Sequence, residues 1–197
     1  AQLDSGEHWT GASASTSITY AFPVLTFGIF SQGEATGFSP VDSTLQGKII
    51  QAILTWDDLI PQTFLQTTLI SSNIEFGYTT TNIDYAHAYL PDIGSIWFEP
   101  SSDVPGATIG SYGFTTIDHE IGHALGLNHM GDYNGGGALT PSSFQDSRVL
   151  SVMSYFGPSG GSFSSEVMWA DWTAQNGSAY SPQTPMLNDV MAIQSIY

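Results

Sequence analysis

Residues 115–129 read TTIDHEIGHALGLNH, and this stretch organises the rest of the chain. His119 and His123 are four residues apart, so on a helix they sit about 40° apart on one face, one turn above the other, and both imidazoles can reach a single ion. Zinc takes imidazole nitrogen at about 2.0–2.1 Å, and catalytic zinc sites use three protein ligands with a fourth position left to water. His129 is the candidate third ligand, but six residues past His123 a continuing helix would point it away. The chain must turn between them. Gly126 is where it can, because glycine enters left-handed backbone at little steric cost. Glu120 neighbours the first histidine and is the candidate general base for a metal-bound water, whose acidity zinc raises. A bare HExxH is a modest signal. The eleven-residue form places five particular residues in register, and the chain has only five histidines.

HEIGHALGLNH resembles the zinc-binding motif of the metzincin metallopeptidases, and SVMSY at 151–155 resembles their Met-turn, with Met153 as the methionine beneath the metal. Tyr155 matches the tyrosine that astacins and serralysins carry there and matrixins lack. GDYN at 131–134 and PMLNDVMAIQSIY at 185–197 are similar to serralysins in particular, over a resemblance running from about Trp56 to Tyr197. Met130 departs from it, standing where serralysins usually have proline. The resemblance implies an α+β metzincin-like domain: a mostly parallel twisted sheet plus helices, an active-site helix ending at a glycine, and a loop-rich C-terminal half ending in a helix. It implies one domain over 1–197, with an upper part to about residue 126 and a lower part beyond it. It further implies a secreted, extracellular zinc endopeptidase with one Zn²⁺ per chain, acting on protein or peptide substrates. A propeptide or proteinaceous inhibitor would be further partners, and a monomer is expected. In those families this tyrosine can ligate zinc at rest and swing to stabilise the transition state, so the resemblance implies a catalytic role for Tyr155 and leaves its ligation at rest open. Ala86 and Ala88 in YAHAYLP resemble the edge strand that pairs with extended substrate; a plain strand is an equal reading.

Working outward, apolar residues recur at helical spacing over Ser43 to about Leu59, with Ser43 or Thr44 as cap and Pro61 as stop. Thr115 to Leu127 is the second helix, and Thr184 to Tyr197 the third, with Pro185 in its first turn. Strand chemistry marks Ser17–Phe22, Asn73–Tyr78, Tyr85–Leu90 and Ser95–Phe98. The expected order is strand, helix, three strands, helix, loops, helix. The glycine- and proline-marked region from 135 to 165 reads as loops.

Composition narrows the partners. Against 18 Asp plus Glu there are 2 Lys plus Arg, a formal charge of −16. Nucleic acid and anionic membrane surfaces are therefore disfavoured. With 41% hydrophobic and 13% aromatic residues there is ample material for a core. The chain contains no cysteine, so a metal site must use histidine and carboxylate. No apolar run reaches the roughly 18 residues of a membrane span, and no leader opens the sequence. Calcium would suit so acidic a chain, but no EF-hand or GGxGxD spacing offers to hold it, and no β-roll is expected. His8 and His87 are expected to be non-ligands, Asp57 and Asp58 a solvated helix end, and Trp169 and Trp172 packing residues. Two rival functions are a catalytically inactive zinc-binding adhesion module and a zinc hydrolase of non-peptide substrates.

Overall fold

The computed structural model describes residues 3–9, 17–25, 32–68, 71–133, 141–143, 145–157 and 181–197. Strand β1 (Ile18–Ala21) is followed by a 3₁₀ turn (Glu34–Gly37), helix α1 (Ser43–Asp57), and strands β2 (Phe64–Gln66), β3 (Ile74–Tyr78), β4 (Ala86–Ala88) and β5 (Ser95–Phe98). Helices α2 (Tyr112–Ala124) and α3 (Leu187–Ile196) complete the order. The sheet runs β2-β1-β3-β5-β4. Its pairings are parallel except β4 with β5, which is antiparallel. This is an α+β domain with a mostly parallel sheet.

Buried side chains explain the layering. β3 and β5 are buried at every position, as expected for parallel strands covered on both faces. Helix α1 turns Leu45, Ile49, Ala52, Ile53 and Trp56 inward. It packs on α2, whose Ile117 and Ile121 join Phe76, Ile96 and Phe98 in the same core. Helix α2 is thus held between α1 and the sheet, and its histidine-bearing end is set by apolar burial along its length. Among the described residues no helix is long and apolar enough to cross a membrane.

Several boundaries differ from the sequence reading. Asp42, not Ser43 or Thr44, caps α1, because its carboxylate accepts from the N–H groups of Thr44 and Leu45 at 2.8 and 3.1 Å. Helix α2 begins three residues earlier than Thr115, where the Ser111 hydroxyl caps Phe114 N–H at 3.3 Å. It ends at Ala124. Pro185 lies outside α3: the Asp189 carboxylate receives the Met186 N–H at 2.8 Å and starts the helix after it. β2 was not expected at all, so four strands follow α1. It has three half-exposed or exposed residues without a period and exists only through its pairing with β1. Asp57 is more than a solvated helix end, since it accepts the Phe64 N–H at 3.0 Å where β2 begins. Asp58 is exposed. Trp169, Trp172, Asn134 and about half of the expected loop region lie outside the described residues.

Candidate metal centre

The turn after α2 brings the three histidines together. Gly126 has φ +102°, and the N–H groups of Gly126 and Leu127 bond back to the carbonyls of His123 and Gly122, both at 2.9 Å, closing the helix with a left-handed cap. A Cβ on Gly126 would meet the Glu7 carbonyl oxygen at 2.2 Å, so no other residue fits there. The turn is also held from outside. Ser5 N–H bonds to Gly126 O at 3.0 Å, and Asn128 N–H to Leu3 O at 2.7 Å. The Trp9 indole N–H reaches Ala124 O at 2.9 Å, and the Tyr197 hydroxyl reaches Leu125 O at 3.1 Å. The carbonyls a helix end leaves without partners are therefore filled by the two ends of the described chain.

The Nε2 atoms converge: His119 to His123 and His119 to His129 are each 3.1 Å, and His123 to His129 is 3.0 Å. It is the one such cluster among the described residues. Nitrogens about 2.0–2.1 Å from a tetrahedral ion lie about 3.3 Å apart, so the spacings agree within a few tenths of an ångström. The second nitrogens settle the tautomers. His119 Nδ1 faces the Val152 carbonyl at 2.8 Å and His123 Nδ1 the Leu127 carbonyl at 2.7 Å. Each Nδ1 must donate, which leaves the Nε2 lone pairs pointing at a common centre. Burial holds His119 well below the usual imidazole pKa and lowers His123 to about 4, so both are neutral, the ligating form. The three converging imidazole nitrogens form a group that could hold a metal ion.

Val152 is itself clamped. Residues 151–154 make a tight turn, Ser154 N–H to Ser151 O at 3.3 Å, that sets Met153 in full burial below α2. Gly122 leaves the room, since a Cβ there would stand 2.6 Å from Met153 Sδ. Beneath the turn, Asp189 of α3 accepts from Ser151 Oγ at 2.6 Å and Val152 N at 2.7 Å. A second buried carboxylate, Asp146, receives Tyr133 Oη at 2.8 Å, Ser154 Oγ at 2.7 Å and Ser142 N at 2.9 Å. The Tyr133 ring stacks on His129 at 5.1 Å and 25°. The sequence reading gives Asp189, Asp146 and Tyr133 no role of their own: Tyr133 and Asp189 enter it only within GDYN and PMLNDVMAIQSIY, and Asp146 not at all.

Glu120 is 5% exposed beside the cluster, its Oε2 has no hydrogen-bond partner among the described residues, and burial pushes its carboxyl up to about 8. A cation next to it would draw that value back down. Tyr155 is 42% exposed, its ring 4.4 Å from that of His129, and burial raises its hydroxyl to about 12. His87 lies apart from the cluster, its Nε2 3.0 Å from Glu34 Oε1. His8 packs edge-on against Tyr197. β4 is the edge strand, carrying Ala86 and Ala88, and it borders a cleft of about 770 Å³ that contains all three histidines, Glu120 and Tyr155.

The sheet, the glycine-ended helix and the histidine cluster define a metzincin-like α+β domain. No protein-family model matches the chain. Curated relatives do: a serralysin of Photorhabdus laumondii is 32% identical over 177 residues, 81% of this chain and 34% of that protein. The metalloprotease AprA of Pseudomonas entomophila is 32% identical over 219 aligned residues (99% and 42%) and serralysin A of Dickeya chrysanthemi 33% over 207 (96% and 40%). The chain is a serralysin-like metzincin. It spans between a third and a little over two fifths of the length of these relatives.

Proposed function

We propose that the chain is the catalytic part of a secreted zinc endopeptidase that hydrolyses internal peptide bonds of extended protein substrates. The observation that carries this is the convergence of three imidazole Nε2 atoms beside a buried glutamate whose Oε2 has no hydrogen-bond partner among the described residues, at the wall of an open cleft. The names of the relatives, serralysin and metalloprotease, support it. His119, His123 and His129 would hold the metal, and zinc there supplies Lewis acidity toward water and the substrate carbonyl. Glu120 takes the proton of the attacking water and passes it to the leaving amine, a double task suited to a buried carboxylate beside the three histidines. Tyr155 keeps its phenolic proton at working pH and donates it toward the oxyanion, an interaction made only as the carbonyl becomes tetrahedral. The free edge of β4 pairs with the substrate backbone past the small side chains of Ala86 and Ala88.

The test is cleavage of a quenched peptide with and without chelator, alongside zinc analysis. Glu120→Ala is expected to keep zinc and lose about 10²–10⁴-fold in kcat. Tyr155→Phe is expected to lose roughly 10–10³-fold in kcat with KM little changed. Zinc-loaded protein that cuts neither casein nor peptide would overturn the reading in favour of an inactive binding module. Wild-type turnover in Tyr155→Phe would leave the zinc and Glu120 assignments standing and remove the tyrosine.

A further inference from the structure

Resting on the peptidase reading, we propose that Arg148 makes the second arm of the cleft a pocket for a carboxylate-bearing substrate residue, glutamate above all, within a residue or two of the cleaved bond. Arg148 is the only arginine in a chain of 18 carboxylic side chains. Among the described residues no carboxylate pairs with it, and the sole ion pair there joins His87 to Glu34. Its guanidinium instead rests 4.7 Å above the Tyr112 ring, with Nε donating to Ser154 O at 3.2 Å and Nη2 to Tyr112 Oη at 3.1 Å. Its own N–H bonds to Phe156 O at 2.8 Å, which fixes the root of the side chain. Of the five N–H donors of a guanidinium, two are used among the described residues, and three have no partner there.

Arg148 lines a cavity of about 430 Å³ that reaches His119 and Glu120 and is walled by Tyr85, Tyr112, Tyr155 and Phe156. A pre-placed, partly desolvated guanidinium with a free fork is matched by a carboxylate, which it binds with charge-assisted and often bidentate hydrogen bonds. The aromatic walls suit the methylene stem that carries the acid. The overall charge of −16 opposes this at long range. That repulsion is screened beyond about 8 Å at physiological salt, whereas the contact with Arg148 is direct.

The experiment uses zinc-loaded protein and quenched peptides that differ only by glutamate or glutamine, scanned over the two residues on each side of the cleaved bond. At one position the glutamate peptide is expected to be preferred by about 10–100-fold in kcat/KM, mainly through KM. In R148Q that ratio should fall to about one, and R148K, which keeps the charge but not the fork, should retain part of it. A residue that only ties the loop to α2 would slow both peptides together and leave the ratio where it was. A wild-type ratio near one at every position overturns the inference whether or not R148Q folds, and so does a ratio unchanged in R148Q. Cleavage of neither peptide instead overturns the peptidase reading, and this inference with it.

Discussion

Helix α2 has two sides built on different physics. Toward α1 and the sheet it is held by apolar packing, with Ile117 and Ile121 against Ile49, Phe76 and Ile96. Toward the described residues of 129–157 and α3, Met153 packs below it and hydrogen bonds to buried carboxylates fix the segments around its histidines: Asp189 under the 151–154 turn, Asp146 under Tyr133 and Ser154. Apolar burial is non-directional and sets how stable the helix is. Hydrogen bonds are directional: Asp189 orients His119 through the Val152 carbonyl, and Asp146 holds the Tyr133 ring that stacks on His129.

The largest expected contrast comes from one truncation on each side. Asp189→Ala leaves Ser151 Oγ, Val152 N and Met186 N without their acceptor and is expected to cost about 3–5 kcal/mol. It should also weaken zinc binding by roughly 10–100-fold by freeing Val152 O from His119. Ile49→Ala is expected to cost a similar 2–5 kcal/mol yet leave the zinc affinity of folded molecules unchanged. Denaturant melts combined with chelator competition measure both, and equal loss of affinity in the two variants would break the contrast.

The buried carboxyls of α2 should carry a pH dependence, Asp118 facing Thr55 of α1 and Glu120 facing the histidines. Burial raises Asp118 and Glu120 to about 8 from 3.8 and 4.5, so the folded metal-free protein holds protons that the unfolded chain has released. The stability linked to those protons is present at low pH and lost as pH rises through about 8. His119 and His123 act oppositely, but only below their ordinary value of 6.5. Between pH 6.5 and 8 the metal-free protein is therefore expected to lose stability, by up to about 1.4 kcal/mol per pH unit for each carboxyl. Thermal melts across that range check it, and a stability that rises with pH would contradict the burial of these groups.

Two smaller changes probe the turn where the sides meet. Gly126→Ala forces a side chain into positive φ and onto the Glu7 carbonyl, at an expected 1–3 kcal/mol or about that order. Its effect on zinc should be larger than that of Ile49→Ala, because His129 follows the turn. Trp9→Phe removes one hydrogen bond to Ala124 O and should cost about 1 kcal/mol in a melt, with slightly faster zinc loss. No change in either measurement would show the indole to be packing alone.

The amino-acid sequence by itself determined the elements whose physics is local. HEIGHALGLNH specifies two histidines on one helix face, a glycine that ends the helix and a third histidine beyond it, and the structure joins them. Helix α1 is legible because its apolar residues repeat with the helical period, and β3 and β5 because β-branched and aromatic residues predominate in them. Only the tertiary structure decided the rest. β2 is three residues long and has no period; it becomes a strand by pairing with β1. β4 is an edge because the sheet order ends there, and strand residues do not encode their place in a sheet. Asp189 lies 70 residues from His119 in the chain yet orients it through the Val152 carbonyl, a partnership set by directional contacts across the fold and by no spacing in the sequence.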